Sequence, residues 1–235
     1  MLQTTRAVAL RTFRHGDHTT VLKAYTEQFG LRSYMVRTGP RSAVKPMHLQ
    51  PLARLELVVT EDRERDLHAV REARILLPYT GVASDPRRGM LLLFAQEVFY
   101  RTLREGVQDP ALFAFVMNTL EAINGGPELG RIPLDLLVGL SHHLGFLPEP
   151  PLPGQDRFDL REGRFFHGAP DHAFCMDHAS SAAFAGLLHG KHGTAASIPA
   201  AGRTALLGHL LMYFRLHVEG FGDLRSPEVL HALLH

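Results

Sequence analysis

Two features of the chain predict an α+β fold, an all-β N-terminal domain followed by an all-α C-terminal domain. Up to about residue 78 the apolar residues come in short runs separated by turn-forming clusters, whereas from Pro86 onward they recur at helical spacing. Composition permits both halves: of 235 residues, 45% are apolar and 21% charged, enough to bury a core and too apolar for a disordered chain. A chain of this length fits two modest domains or one large one. The change of period favours two, over residues 1–80 and 81–235.

The strand signals come in order. Ala7–Phe13 and Val21–Tyr25 flank His15-Gly16-Asp17-His18, a turn-forming cluster. Gly30 precedes a third run, Leu31–Thr38, which Gly39-Pro40 closes. Leu52–Thr60 alternates, with Leu55, Leu57 and Val59 on one face and Arg54, Glu56 and Thr60 largely on the other. A fifth run covers about Leu67–Ala73. Five such strands match a small closed barrel such as the OB-fold, whose face and loops bind nucleic acid or sugars. An SH3-like barrel would give nearly the same pattern.

The helical signals follow. Met90–Leu103 is apolar over a broad face (Leu91, Phe94, Ala95, Val98) and belongs at the centre of a bundle. Asp109-Pro110 opens the next helix, aspartate as N-cap and proline in the first turn, and Gly125-Gly126-Pro127 ends it. A third runs from about Pro133 to Leu144. After the rigid Pro148–Pro153, Phe158–Phe166 reads as two short strands around a tight turn at Asp159–Gly163. Helices resume at Ser181–His189 and Arg203–Val218, the latter with Leu207, Leu210, Leu211, Phe214 and Val218 on one buried face. Gly220 and Gly222 stop it, and Ser226-Pro227 starts a short terminal helix. The architecture expected is an OB-fold-like small β-barrel followed by a helical bundle with a short β-hairpin insertion.

Charge is segregated. The formal net charge is +1, yet residues 1–55 carry nine Lys/Arg against two acids, a net of +7, and residues 81–235 carry twelve against sixteen, a net of −4. Such asymmetry gives the N-terminal part a positive field, for which a polyanion is the natural partner. The single cysteine, Cys175, excludes an intrachain disulfide and fits a reducing compartment. The N-terminus has no secretory-type apolar run, and no apolar stretch approaches the roughly 20 residues of a membrane span. A cytoplasmic protein is expected.

The loop after the third strand carries Arg37, Arg41 and Lys45, shaped by Gly39 and Pro40, and can lay cations along a phosphate backbone. Arg11, Arg14, Lys23 and Arg32 extend the patch if their strands present them on one face. Tyr25, Phe29 and Tyr34 are candidate stacking platforms for unpaired bases, set against an ordinary place in the barrel core. Among fifteen histidines the best metal constellation is Asp171-His172-x-x-Cys175-x-Asp177-His178 with His167 upstream. One cysteine cannot supply an all-cysteine set, and Cys175 reads better as a small buried hydrophobe. No Walker-type, GxSxG, HExxH or CxxC motif is present. A non-enzymatic protein with no metal and no cofactor is therefore expected. The competing readings are a metal-dependent hydrolase using the His-rich 167–192 region and a peptide-binding scaffold without DNA binding.

Three strings resemble the RecO family of bacterial recombination mediators. Gly16–Gly30 contains Asp17, Thr19, Tyr25-Thr26-Glu27 and Gly30; Gly39–Pro51 holds the basic loop and Leu49-Gln50-Pro51; Leu206–Leu230 reads LLGHLLMYFRLHVEGFGDLRSPEVL. The resemblance implies a barrel that binds single- and double-stranded DNA and anneals complementary strands. It implies a helical domain that docks the C-terminal tail of single-stranded DNA-binding protein, with Arg101, Arg104, Arg203 and Arg215 as candidate contacts for that acidic peptide. RecR and, indirectly, RecA are the further partners, and the protein would be nucleoid-associated. Many members carry a four-cysteine zinc site. Here about 148–180 is similar to the degenerate, zinc-free version of that region.

Overall fold

A computed structural model describes residues 2–39, 42–61, 67–105, 108–189 and 198–225. Arg41 and the helix start at Ser226-Pro227 therefore lie outside the described residues. The chain forms two compact units that are not contiguous in sequence: Met1–Asp85 with Gln96–Asn124, and Pro86–Ala95 with Gly125–His235.

The first unit is built on β1 (Leu2–Arg14), β2 (Thr19–Thr26), β3 (Gly30–Arg37), β4 (Arg54–Thr60) and β5 (Leu67–Leu77). They close in the order β1-β2-β3-β5-β4, with β3 and β5 parallel and the other pairs antiparallel. This is an OB-like barrel. Alternation fills it: Ala24, Leu22, Tyr34 and Val36 face Leu55, Leu57 and Val59 across the interior. The last strand runs past Ala73 because β4 offers it an edge as far as the Arg54–Leu77 pair. Two helices complete the unit, the C-terminal half of α1 (Pro86–Thr102) and α2 (Pro110–Gly125). As the sequence predicts, Asp109 caps α2, accepting the Leu112 N–H at 2.8 Å.

Arg54 departs from its expected place. Alternation puts it on the solvent face beside Glu56, yet it is 1% exposed. The outer surface there is covered by the chain leaving β5 and by α2. The guanidinium donates to Leu77 O and Pro78 O, both at 3.1 Å, pairs with Glu121, and lies 4.4 Å from the Tyr79 ring centre. Tyr79 in turn donates its hydroxyl to Leu52 O at 2.8 Å.

The second unit holds α3 (Ile132–His143), the hairpin β6 (Arg157–Asp159) and β7 (Arg164–Phe166), α4 (His178–Leu188) and α5 (Ala200–His217). Its centre is aromatic: Phe158, fully buried, meets Phe165 and Phe184 at 4.9 Å and Tyr213 at 5.4 Å between ring centres. Gly163 closes the hairpin at φ 68°, where a Cβ would stand 2.9 Å from the Tyr213 hydroxyl, so both backbone and space require glycine. Among the described residues no helix is long and apolar enough to cross a membrane.

Arg54 and Glu121 should contribute unequally to stability. Arg54→Leu removes the donor to the Leu77 and Pro78 carbonyls and the packing on Tyr79, and should cost about 1–3 kcal/mol in urea denaturation. Glu121 keeps a 59% exposed side chain, so Glu121→Gln should cost less than about 1 kcal/mol.

Candidate nucleic-acid interface

The face that the barrel turns outward is set by an irregularity in β1. Ala7 and Ala9 belong to the interior, and strict alternation would send Arg11 and Phe13 inward after them. A register shift between Ala9 and Arg11 inserts one residue, Leu10. That slip moves the rest of the strand to the other face. Ala9 accepts the Leu52 N–H and donates to Ala53 O at 3.0 Å, while Leu10 O accepts from the Gln96 side chain at 2.8 Å. Leu52 itself sits at φ 59°, a left-handed backbone that few non-glycine residues adopt.

Downstream of the bulge, the registers line up three rows across β1, β2 and β3. Arg11 faces Lys23 and Lys23 faces Ser33; Phe13 faces Val21 and Val21 faces Met35; Thr19 faces Arg37. These positions alternate with the interior residues Leu22, Tyr34 and Val36, so they share the outer face. The result is an apolar row, Phe13–Val21–Met35, with Arg11 and Lys23 on one side and Arg37 on the other. Arg11 lies 5.0 Å from the ring centres of both Phe13 and Tyr100, the latter contributed by α1. Lys23 reaches Glu105 at 2.9 Å and lies 5.9 Å from the Tyr100 ring.

The other basic candidates are placed differently. Arg14 is exposed at the end of β1, 3.4 Å from Asp17. Arg32 turns toward Glu61 at 3.9 Å, with its Nε buried, and belongs to an interior group in which Tyr34 donates to Glu61 at 2.8 Å. Lys45 is exposed at the start of a 3-10 turn, Pro46–Leu49, against the barrel. Tyr25 and Tyr34 are core: 2% and 0% exposed, with burial raising both hydroxyl pKa values well above the usual range. Phe29 packs against the same core. The aromatics that do face outward, Phe13 and Tyr100, carry no sequence signal of it, because only the bulge and the α1 packing put them there.

The four arginines expected to hold a peptide divide between the units. Arg101, 3.3 Å from Glu97, and the exposed Arg104 belong to the barrel unit. Arg203, donating to Ile198 O at 2.7 Å, and Arg215, 2.7 Å from Asp223, lie on α5 about 18 Å of helix apart. A cavity of about 310 Å³ in the helical unit is lined by His142, Leu147, Pro148, Glu149, Pro150 and Leu188, with none of these arginines.

Among the described residues, Asp159, His172 and Cys175 are the one group able to converge on a metal, their ligand atoms all within 4.8 Å of one another. The group supplies three donors, one fewer than a closed structural zinc site uses, and its atoms already bond within the protein. His172 Nδ1 accepts the Phe174 N–H at 3.2 Å, so its proton sits on Nε2, 3.2 Å from Asp159 Oδ2. The other oxygen of Asp159 accepts the N–H groups of Arg161 and Glu162 at 2.8 and 3.0 Å. Burial first, and then the Asp159 and Asp171 carboxylates, push the Cys175 thiol pKa upward. Cys175 Sγ lies 3.6 Å from His172 Nδ1. The remaining histidines of the region do separate work: His167 contacts Gly154 O at 3.0 Å, His178 lies 3.4 Å from Asp156, and His189 contacts Ala185 O at 2.7 Å. Residues 190–192 lie outside the described residues.

The chain matches the family model for "Recombination protein O N terminal" over residues 1–79 and that for "Recombination protein O C terminal" over residues 83–227. The chain belongs to the RecO family. Its relatives include the DNA repair protein RecO of Flavobacterium psychrophilum, 25% identical over 233 residues and 96% of each chain. The RecO proteins of Bacteroides fragilis and Porphyromonas gingivalis are 28% and 27% identical, each over 99% of both chains.

Chelation should leave the Asp159–His172–Cys175 group intact. Protein purified without chelator should show well under one zinc per chain, and the thermal midpoint should stay the same after EDTA. His172→Ala, which leaves the Phe174 N–H and Asp159 without their partner, should cost about 1–3 kcal/mol in urea denaturation, whereas Cys175→Ser should fold normally.

Proposed function

We propose that this chain is a DNA repair and recombination mediator that binds single- and double-stranded DNA on the outer face of its barrel and promotes annealing of complementary strands. One observation carries the reading: Arg11, Lys23 and Arg37 stand on one outward face of an OB-like barrel in a chain of the RecO family. In sequence, Arg41 and Lys45 follow Arg37 in the loop after β3. Arginine forks and lysine ammonium groups there would bind phosphates without reading sequence, and the binding would weaken with salt.

Annealing follows from the same physics. A cationic surface lowers the repulsion between two polyanions, and attachment confined to the backbone leaves base edges free to pair. Duplex formation supplies the driving force, so no hydrolysis is required and the protein is read as non-enzymatic. Family membership supports the remaining partners: RecR, with which the protein would help load RecA onto strands coated by single-stranded DNA-binding protein, and the C-terminal tail of that protein, docked on the helical unit. This work belongs to the cytoplasm, at the nucleoid.

Salt titration of oligonucleotide binding tests the electrostatic core of this reading. Arg37→Ala, Arg41→Ala and Lys45→Ala together should weaken binding and flatten the slope of log K against log[salt] by about 2–3, near one for each phosphate no longer neutralised. An unchanged slope would move the site off this loop. A wild type indifferent to every polyanion would favour a peptide-binding scaffold instead.

A further inference from the structure

We infer that the apolar row Phe13–Val21–Met35, with Tyr100 and Arg11 at its edge, is a platform on which unpaired bases of a single DNA strand stack. The inference rests on the DNA-binding reading above and adds to it that the face touches bases as well as phosphates. A purely electrostatic surface has no need of exposed apolar side chains. Phe13 is 40% exposed even with the Arg11 guanidinium lying over its ring, while Val21 and Met35 are only partly covered on the same face. The registers hold the three in one straight line across adjacent strands. Strands in a sheet lie about 4.8 Å apart, so the row offers a continuous apolar track that an extended strand could follow.

Charge decides the occupant. Cations border the row on both sides, Arg11 and Lys23 on one and Arg37 on the other. Arg11 and Arg37 meet no carboxylate among the described residues. A chain with its charges on a backbone and its flat apolar faces on side groups satisfies both features at once; that is single-stranded nucleic acid. The planar Arg11 guanidinium, set between two aromatic rings, extends the stacking surface. A duplex keeps its bases stacked inside and would use the cations without the row.

The test compares oligothymidylate with an abasic strand of equal length and with a duplex, using the full chain. Phe13→Ala should weaken oligothymidylate binding about tenfold, the effect of removing one stacked base, and leave the abasic strand, the duplex and the salt slope within error. The chain contains no tryptophan, so Phe13→Trp supplies a single indole probe. That variant should retain affinity, and its emission should be quenched by oligothymidylate and not by the abasic strand. Equal weakening of both strands in Phe13→Ala, or an indole whose emission ignores bases, would overturn the platform while salt-dependent binding still upheld the DNA reading. Absence of salt-dependent binding by the wild type would remove both.

Discussion

What the barrel shows to solvent depends on the bulge at Leu10. A strand with strict alternation would have buried Arg11 and Phe13 beneath the sheet; one extra residue reverses them, and the outer rows across β2 and β3 become continuous. The bulge is held from two directions. Leu52, in a left-handed backbone conformation, donates to Ala9 O, and Gln96 of α1 donates to Leu10 O. A left-handed leucine costs roughly 1–2 kcal/mol, which full burial of its side chain, 0% exposed, offsets. Strain at Leu52 is thus tied to the placement of side chains on the opposite surface of β1.

Arg54 belongs to the same arrangement. Its guanidinium satisfies the carbonyls of Leu77 and Pro78, where the chain leaves β5, and stacks on Tyr79, whose hydroxyl bonds to Leu52 O. Polar groups at a strand exit must find partners when helices cover them. One arginine serves two carbonyls here and also pairs with Glu121 of α2. The bulge-holding residue and the buried guanidinium are therefore linked through a single tyrosine.

Periodicity and punctuation made most of the fold legible. Five strands, the Asp109 cap, the hairpin around Gly163 and the last long helix all followed from alternation, helical spacing and glycine placement, because each is a local property of a few neighbouring residues. What escaped was non-local. Arg54 reads as a solvent-facing residue until α2 covers it, and the choice for Tyr25 between stacking platform and core turns on Phe113, which packs on it at 5.9 Å. The bulge left no signal in Ala7–Phe13, an ordinary β run. Of the candidate basic residues, Arg11, Lys23 and Arg37 share a face, while Arg32 spans the sheet to Glu61; strand parity separates Arg32 from Lys23, and only the register shows it.

The distribution of ion pairs sharpens the electrostatic picture beyond the charge count. Of the nine N-terminal cations, Arg6 pairs with Glu27, Arg14 with Asp17, Lys23 with Glu105, Arg32 approaches Glu61 and Arg54 pairs with Glu121. Three of these carboxylates come from beyond residue 55, so the sequence-local balance of +7 overstates the field the folded unit projects. Exposed pairs such as Arg14–Asp17 are weak and solvent-screened, whereas the pairing of the buried Arg54 removes its charge from the surface. Among the described residues Arg11 and Arg37 meet no carboxylate, and both flank the apolar row. The arrangement suits the proposed role of holding a strand and releasing it into a duplex. Few strong cations keep the backbone attachment salt-labile, and any stacking on the bases ends when they pair.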